Sequence, residues 1–327
     1  MTKLRHFAVL LALPMATWAA DSALLQLVMP DAKVIAGIQV NQTRNSLFGQ
    51  YVLAHMQVDN EGFKNFIAQT GFDPRRDVSE LLIASNWESN SPASRWLVMA
   101  RGTFDSSKIA SAAQGNGITT TNFQGVDILT YSGHGKADGQ NGIAFFDATS
   151  AVMGDLPSVQ TAIQRRKSGA PPSGQLLSKV RDLSSKNDFW FVTLVPVSEF
   201  AGAMPDPNLS GAMKGNLLAA INEASGGIRF GDTVTISAEA LTRSDKDAQA
   251  LVDVVKFVAG MIQLNRQNNP AAGQVATLLD TLDCKTAGNV TTISLAIPEQ
   301  QLEQMLDVMR QQNRLAHKKP AAPQGND

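Results

Sequence analysis

One local pattern occurs twice in this chain and limits what the chain can fold into. An apolar run rich in β-formers ends in polar residues, and an Asp then opens a stretch of helical period. Residues 95–116 read RWLVMARGTFDSSKIASAAQGN, and residues 233–262 read TVTISAEALTRSDKDAQALVDVVKFVAGMI. Asp105 and Asp245 stand where a helix N-cap would satisfy orphan backbone N–H groups. Built twice, this pattern predicts two similar modules in tandem, and 327 residues is long enough to give each its own core.

Other segments repeat in the same order. The run 188–197 (DFWFVTLVPV) answers 32–40 (AKVIAGIQV), which is expected to be a strand with Val34, Ala36, Ile38 and Val40 on one face. A helix over 209–224 answers an early helical pair at about 41–56 and 61–69, the second of these ended by Gly71. Strands within 228–243 answer a hairpin of strands between 78 and 104. The strand 290–297 runs into Pro298 and a helix, as 151–154 runs into Leu156, Pro157 and a helix to Arg166. Two further strands, 118–123 and 126–132, form a hairpin around Gln124-Gly125. Because hairpins dominate the strand connections, the expected fold is α+β: two modules, each a mainly antiparallel sheet with helices packed on one face.

The amino terminus reads as a signal peptide. It has a basic start (Lys3, Arg5), an apolar core from Phe7 to Met15, and small residues at Thr17 and Ala19. Cleavage is expected after Ala19, with Ala20 the alternative. The mature chain then has 26 basic and 29 acidic residues, a formal charge of −3. That balance shows no electrostatic footprint for nucleic acid. No later run is long and apolar enough for a membrane span, so the protein is expected to be exported, to the periplasm or beyond. With 43% hydrophobic and 17% charged residues the chain is not disordered overall. The expected division is a signal at 1–19, a first module at 20–167, a linker at 168–175 (SGAPPSG and one residue more), a second module at 176–310, and a disordered tail at 311–327.

Catalytic residues are hard to find. After processing, three histidines remain: His55 in a helix, His134 in a glycine-rich loop and His317 in the tail. There is no metal-binding His or Cys spacing, no nucleophile elbow and no phosphate-cradling glycine loop. No catalytic, metal or cofactor residue is therefore assigned, and the ligand-binding residues are unknown. The string Gly71-Phe72-Asp73-Pro74-Arg75-Arg76-Asp77 reads better as a salt-bridged turn than as an anion fork. Cys284, the single cysteine, has no internal partner for a disulfide and is expected to be inert.

The helix over 247–264 has an apolar surface wider than one sheet face needs. Leu251, Val254, Val255, Val258, Met261 and Ile262 form its stripe, and Val252, Phe257 and Leu264 broaden it. It is read as a buried central helix or as a contact face for a neighbouring module, a subunit or an apolar ligand.

The exported start, PDAKVIAGIQV, GFDPRRDVSELLIAS and ARGTFD together resemble an uncharacterised family of secreted bacterial proteins. The resemblance implies export and a shared fold, and no activity. The functional expectation is a non-catalytic binding or scaffold protein of the bacterial envelope, its partner docking at the seam between modules. The alternatives are a carrier of an apolar small molecule or lipid held between sheet and helices, and a hydrolase whose residues converge only in the fold.

Overall fold

Residues 34–38, VIAGI, carry apolar or absent side chains on both faces, which suits a strand with partners on either side and cover above and below. The computed structural model describes residues 20–55, 61–88, 94–114, 117–132, 139–203, 217–264, 266 and 270–317. In it β1 (Val34–Ile38) pairs antiparallel with β2 (Val78–Ser85) on one side and with β8 (Phe189–Thr193) on the other. That central trio joins the two halves of the chain. The first half continues through β3 (Trp96–Gly102), β7 (Ser150–Asp155), β6 (Gln140–Asp147), β5 (Val126–Ser132) and β4 (Thr119–Phe123). The second continues through β9 (Ile221–Arg229), β10 (Thr233–Thr242), β12 (Val290–Pro298) and β11 (Asp283–Ala287). All described strands thus form one antiparallel sheet of twelve, and the class is α+β as expected.

Strand order reads alike outward from the β1–β8 pair. On each side a hairpin comes first (β2–β3, β9–β10) and a second hairpin follows (β7–β6, β12–β11), after which the first half adds the β5–β4 hairpin at its edge. The β4–β5 hairpin turns at Gln124 and Gly125, both at positive φ (52° and 82°), the backbone that two-residue hairpins prefer.

One face of the sheet is closed by helices. Asp21 caps α1 (Ser22–Leu27), its carboxylate accepting the Ala23 N–H at 2.7 Å. Asp155 caps α7 (Leu156–Ser168), which ends on Gly169 at φ 64°. With α8 (Leu177–Lys186) these helices bury a single core against Ile35, Leu82, Ala84, Leu97, Met99, Trp190 and Val192, each at most 2% exposed. The segment after α7 is pinned rather than loose, since Arg165 donates to the Pro171 carbonyl at 3.0 Å and to the Gln26 carbonyl at 2.8 Å.

Among the described residues, the opposite face carries helices toward its two ends. Near β3, β6 and β7, α4 (Glu61–Thr70) and α6 (Ser106–Ala113) pack through Phe66, Phe72, Phe104 and Ile109. Near β9 and β10, Leu251 and Val255 of α9 (Asp245–Leu264) pack on Ala224 and Ala240. The early helix breaks in two, α2 (Val40–Asn45) and α3 (Leu47–His55), where the Ser46 hydroxyl caps the Gly49 N–H at 3.0 Å. The remaining short elements are α5 (Pro74–Asp77), α10 (Pro270–Leu278) and α11 (Glu299–His317).

Four expectations need correction. The strand expected over 32–40 is shorter, Val34–Ile38: Val34, Ala36 and Ile38 share one face as expected, a half-buried one opposite buried Ile35 and Gly37, but Val40 opens a helix instead. Of the helix expected over 209–224, the structure describes one 3-10 turn (Leu218–Ala220), and residues from Ile221 onward are drawn into β9 between β8 and β10; residues 209–216 lie outside the described residues. Ser244, not Asp245, caps α9: its hydroxyl accepts the Asp247 N–H at 3.2 Å and donates to the Asp247 carboxylate at 2.9 Å. The tail expected from 311 is helical through His317, as the last turns of α11.

Asp105 does cap α6 as expected, accepting the Lys108 N–H at 3.1 Å. The Ser107 hydroxyl and that N–H hold its carboxyl down at about 2. Its stabilising effect is therefore present above the ordinary Asp value and lost as pH falls through about 2.

Gly37 is the tightest point of the central trio. A Cβ there would meet the Trp190 ring at 2.4 Å and Leu82 at 2.7 Å. Gly37→Ala is expected to destabilise the fold by about 1–3 kcal/mol, read as a lower urea midpoint by circular dichroism. An unchanged midpoint would mean the β1–β8 pair is not close-packed.

Candidate functional site

Residues directly opposite one another in antiparallel strands share a face, so the register identifies which side chains lie side by side. Phe191 pairs with Ala36, Ala36 with Ile83, Ile83 with Val98, Val98 with Met153 and Met153 with Ile143. This makes an unbroken apolar row across six strands, centred on the join of the two halves. At a strand spacing of ~4.8 Å it is about 24 Å long. Ile38 and Leu81, paired with each other two residues along, widen it. Five of the row's six side chains are half-buried, and Ile83 at its middle is 48% exposed.

The contrast with the other side of the same strands is sharp. Leu82, next to Ile83 in sequence, is fully buried, as are Ala84 and Val192. Among the described residues, the row therefore lies on the face that helices cover at its ends. At one end the Phe66, Phe72, Phe104 and Phe145 rings meet with centroids 5.5–6.3 Å apart. At the other stand α9 and the 3-10 turn Val197–Ala203, whose Phe200 ring meets Trp87 at 4.5 Å and a tilt of 45°. The result is an apolar floor between two walls.

The helix singled out from sequence contributes a wall and a small groove. Val254, Val255, Val258, Ala259 and Ile262 of α9, with Leu279 and Leu282, line an apolar recess of about 160 Å³. That volume accommodates a single side-chain-sized group and is below the range of ordinary small-molecule pockets, about 300–1,000 Å³. Val252 is buried, whereas Phe257, Met261 and Leu264 are 66%, 49% and 83% exposed. These residues line no deep cavity together. The width of the apolar surface on α9 is real, but its outer edge faces solvent.

Of the remaining sequence candidates, the arginines are held in ion pairs and the cysteine is half-buried. Arg75 pairs with Asp73 at 2.6 Å and Arg76 with Asp77 at 2.7 Å, so the arginines are spent on their own turn. Those pairings hold both carboxyls below the usual Asp range. Arg44 fastens the same turn by donating to the Arg75 and Arg76 carbonyls at 2.9 and 2.8 Å. Cys284 lies half-buried on edge strand β11, where burial pushes its thiol up and away from thiolate chemistry. His55 and His317 are the last residues of α3 and α11, and His134 lies outside the described residues. Among the described residues no group of three His, Cys, Asp or Glu side chains could hold a metal ion.

A polar cleft of about 370 Å³ opens on the closed face beside α8. There Lys179 spans Glu223 and Glu239 and ties α8 to β9 and β10. Burial alone would lower the Lys179 ammonium, but the two carboxylates outweigh it and the net shift is upward. The cleft's charged groups are all ion-paired, Lys179 in this clamp and Lys186 with Asp182 at 2.6 Å.

No family model matches the chain, and no curated protein matches it. Among solved structures it is similar to TP0453, a Treponema protein, in its crystal form I, with a TM-score of 0.50 and 11% identity over 88% of this chain and 97% of that one. At that identity the likeness concerns the fold alone. No helix among the described residues is long and apolar enough to cross a membrane.

The open row was missed at sequence level, although a signal for it exists. Residues 81–84 (LLIA), 96–99 (WLVM) and 189–192 (FWFV) are apolar at consecutive positions. Such runs supply both faces of a strand, more than one helical layer can cover.

Neighbouring substitutions on β2 separate the two faces. Leu82→Ala should cost about 2–5 kcal/mol. Ile83→Ala should cost less than about 1 kcal/mol, because nearly half of that side chain is already in water. Equal losses in urea titrations would show that both faces are packed.

Proposed function

We propose that the protein is an exported, non-catalytic binding protein that receives an apolar partner on the open sheet face where its two halves join. The observation that carries this reading is the row Phe191–Ala36–Ile83–Val98–Met153–Ile143, which leaves Ile83 exposed beside a closed core. Contiguous exposed apolar surface of this extent marks interaction sites in folded proteins. The six side chains include no charged group, so the recognition is hydrophobic and the partner is apolar along its length. Export is supported by the basic, apolar and small-residue succession of residues 3–19. The binding reading is further supported by the pairing of the candidate charged groups in structural contacts: the arginines of 73–77 and the Lys179 clamp.

The row's length suits an extended acyl chain or the apolar side of a protein segment, and one experiment separates them. The mature protein, purified gently from the periplasm, is weighed by native mass spectrometry before and after organic solvent. In parallel, a photo-reactive residue replaces Ile83 or, as a control, Phe257. A mass of lipid size released by solvent identifies an acyl partner, and a protein adduct formed from position 83 but not 257 identifies a protein one. Bare protein with no adduct beyond the control would overturn the reading.

A further inference from the structure

The residues just after the expected signal cleavage point are not a free end. Ala20 is 7% exposed, and its N–H donates to the Ser184 hydroxyl of α8 at 3.0 Å. The next N–H, that of Asp21, donates to the Glu80 carboxylate at 3.1 Å, and Glu80 is itself only 7% exposed within β2. The Asp21 carboxylate caps α1 and pairs with Arg101, whose Nε donates to it at 2.9 Å. The charged groups that act on Glu80 are Asp21 and Arg101. Arg101 pairs with Asp21 and reaches Glu80 only through its field, and the Gln39 side chain hydrogen-bonds Glu80 without bringing charge; two carboxylates thus stand near one guanidinium, and the cluster is short of one positive charge. Burial pushes the Glu80 carboxyl above its ordinary value, as expected for an acid without a full counter-charge.

We infer that proteolytic processing at this junction supplies that charge: the α-ammonium released at Ala20 completes an ion cluster with Glu80, Asp21 and Arg101, and the fold reaches full stability only once it is cut. The step is hydrolysis of the peptide bond between Ala19 and Ala20. Water adds across it, the carboxylate leaves with residues 1–19, and the new amine takes up a proton. Backbone nitrogens of adjacent residues lie within about 3.7 Å, so the Ala20 nitrogen is no more than about 7 Å from the Glu80 carboxylate. Freed from residue 19, it can turn toward that carboxylate while Ser184 still accepts from it. Cleavage one residue later would serve the same end, since the Asp21 nitrogen already lies 3.1 Å from Glu80. An uncut chain has a neutral amide here and leaves the cluster one positive charge short, with only hydrogen bonds and the Arg101 field acting on Glu80, which costs stability. The precursor is thereby held less stable than the product, which suits a chain that must be exported before it folds.

The inference rests on the export reading, and the tests of the two are separable. A chain beginning at Ala20 is prepared with a free amine and with that amine acetylated. Acetylation keeps the N–H for Ser184 and removes only the charge. Acetylation is expected to lower Tm by about 3 °C at pH 6–7, and to have no such effect in Glu80→Gln. An amine paired with a carboxylate has a raised pKa, so its contribution is complete below the ordinary range of about 7.7–8.0 and lost as pH rises through the raised value. The gap between the two forms should therefore close at high pH in the wild-type chain, a readout that survives if Glu80→Gln fails to fold. Equal Tm values, or a gap that ignores pH, would overturn the inference. The intact mass of protein recovered from the periplasm decides the rest. A chain beginning at Ala20 whose Tm ignores acetylation sinks the ion cluster alone, whereas a chain retaining residues 1–19 sinks export and the inference together.

Discussion

Gly37 lies against the indole of Trp190, and that contact makes one sheet out of two sets of strands. A side chain at residue 37 would collide with the ring, so the close approach of β1 and β8 requires glycine at this point. Once the two strands pair, each half lends its edge to the other and neither is left with an open edge in the middle of the molecule. Trp190, 1% exposed, then becomes part of a single core shared by α1, α7 and α8. The linker between the halves needs only to be held, which Arg165 does by donating to the Pro171 carbonyl within it and to the Gln26 carbonyl of α1.

The same pairing creates the functional surface. A sheet this wide has two long faces, and the described helices cover one of them and the ends of the other. Closing the first face removes Leu82, Ala84, Met99 and Val192 from water. The second face keeps a central strip where apolar side chains from both halves stand side by side with Ile83 uncovered. Burying such a strip against a partner is favourable by about 25 cal/mol for each Å² removed from water. The walls beside it differ: a cluster of four Phe rings stands at one end, and α9 with the Phe200–Trp87 pair at the other.

Much of the fold was legible before any coordinates. The Asp105 cap, the Gly71 stop, the Gln124-Gly125 hairpin and the α+β class all follow from local chemistry, and the structure agrees with each. The rest was hidden where tertiary context overrides local pattern. In β1 both residue sets are apolar, so alternation could not tell Ile35 and Gly37 from Val34, Ala36 and Ile38; only the position of Trp190 decides which side is core. Residues from Ile221 onward resemble a helix locally, yet β8 and β10 recruit them as a strand. The binding surface was harder still to see. It belongs to no single segment, because each of its six strands contributes one residue and only the register lines them up.

The central claim is that the strip around Ile83 is an open apolar floor available to a partner. The most direct test is the fluorescence of a dye that brightens on exposed hydrophobic surface, titrated against folded wild-type protein, Ile83→Lys and Phe257→Lys. Saturable enhancement that Ile83→Lys abolishes and Phe257→Lys preserves is the predicted result. Enhancement that survives Ile83→Lys, or that Phe257→Lys removes instead, would place the contact surface on α9 and contradict the account.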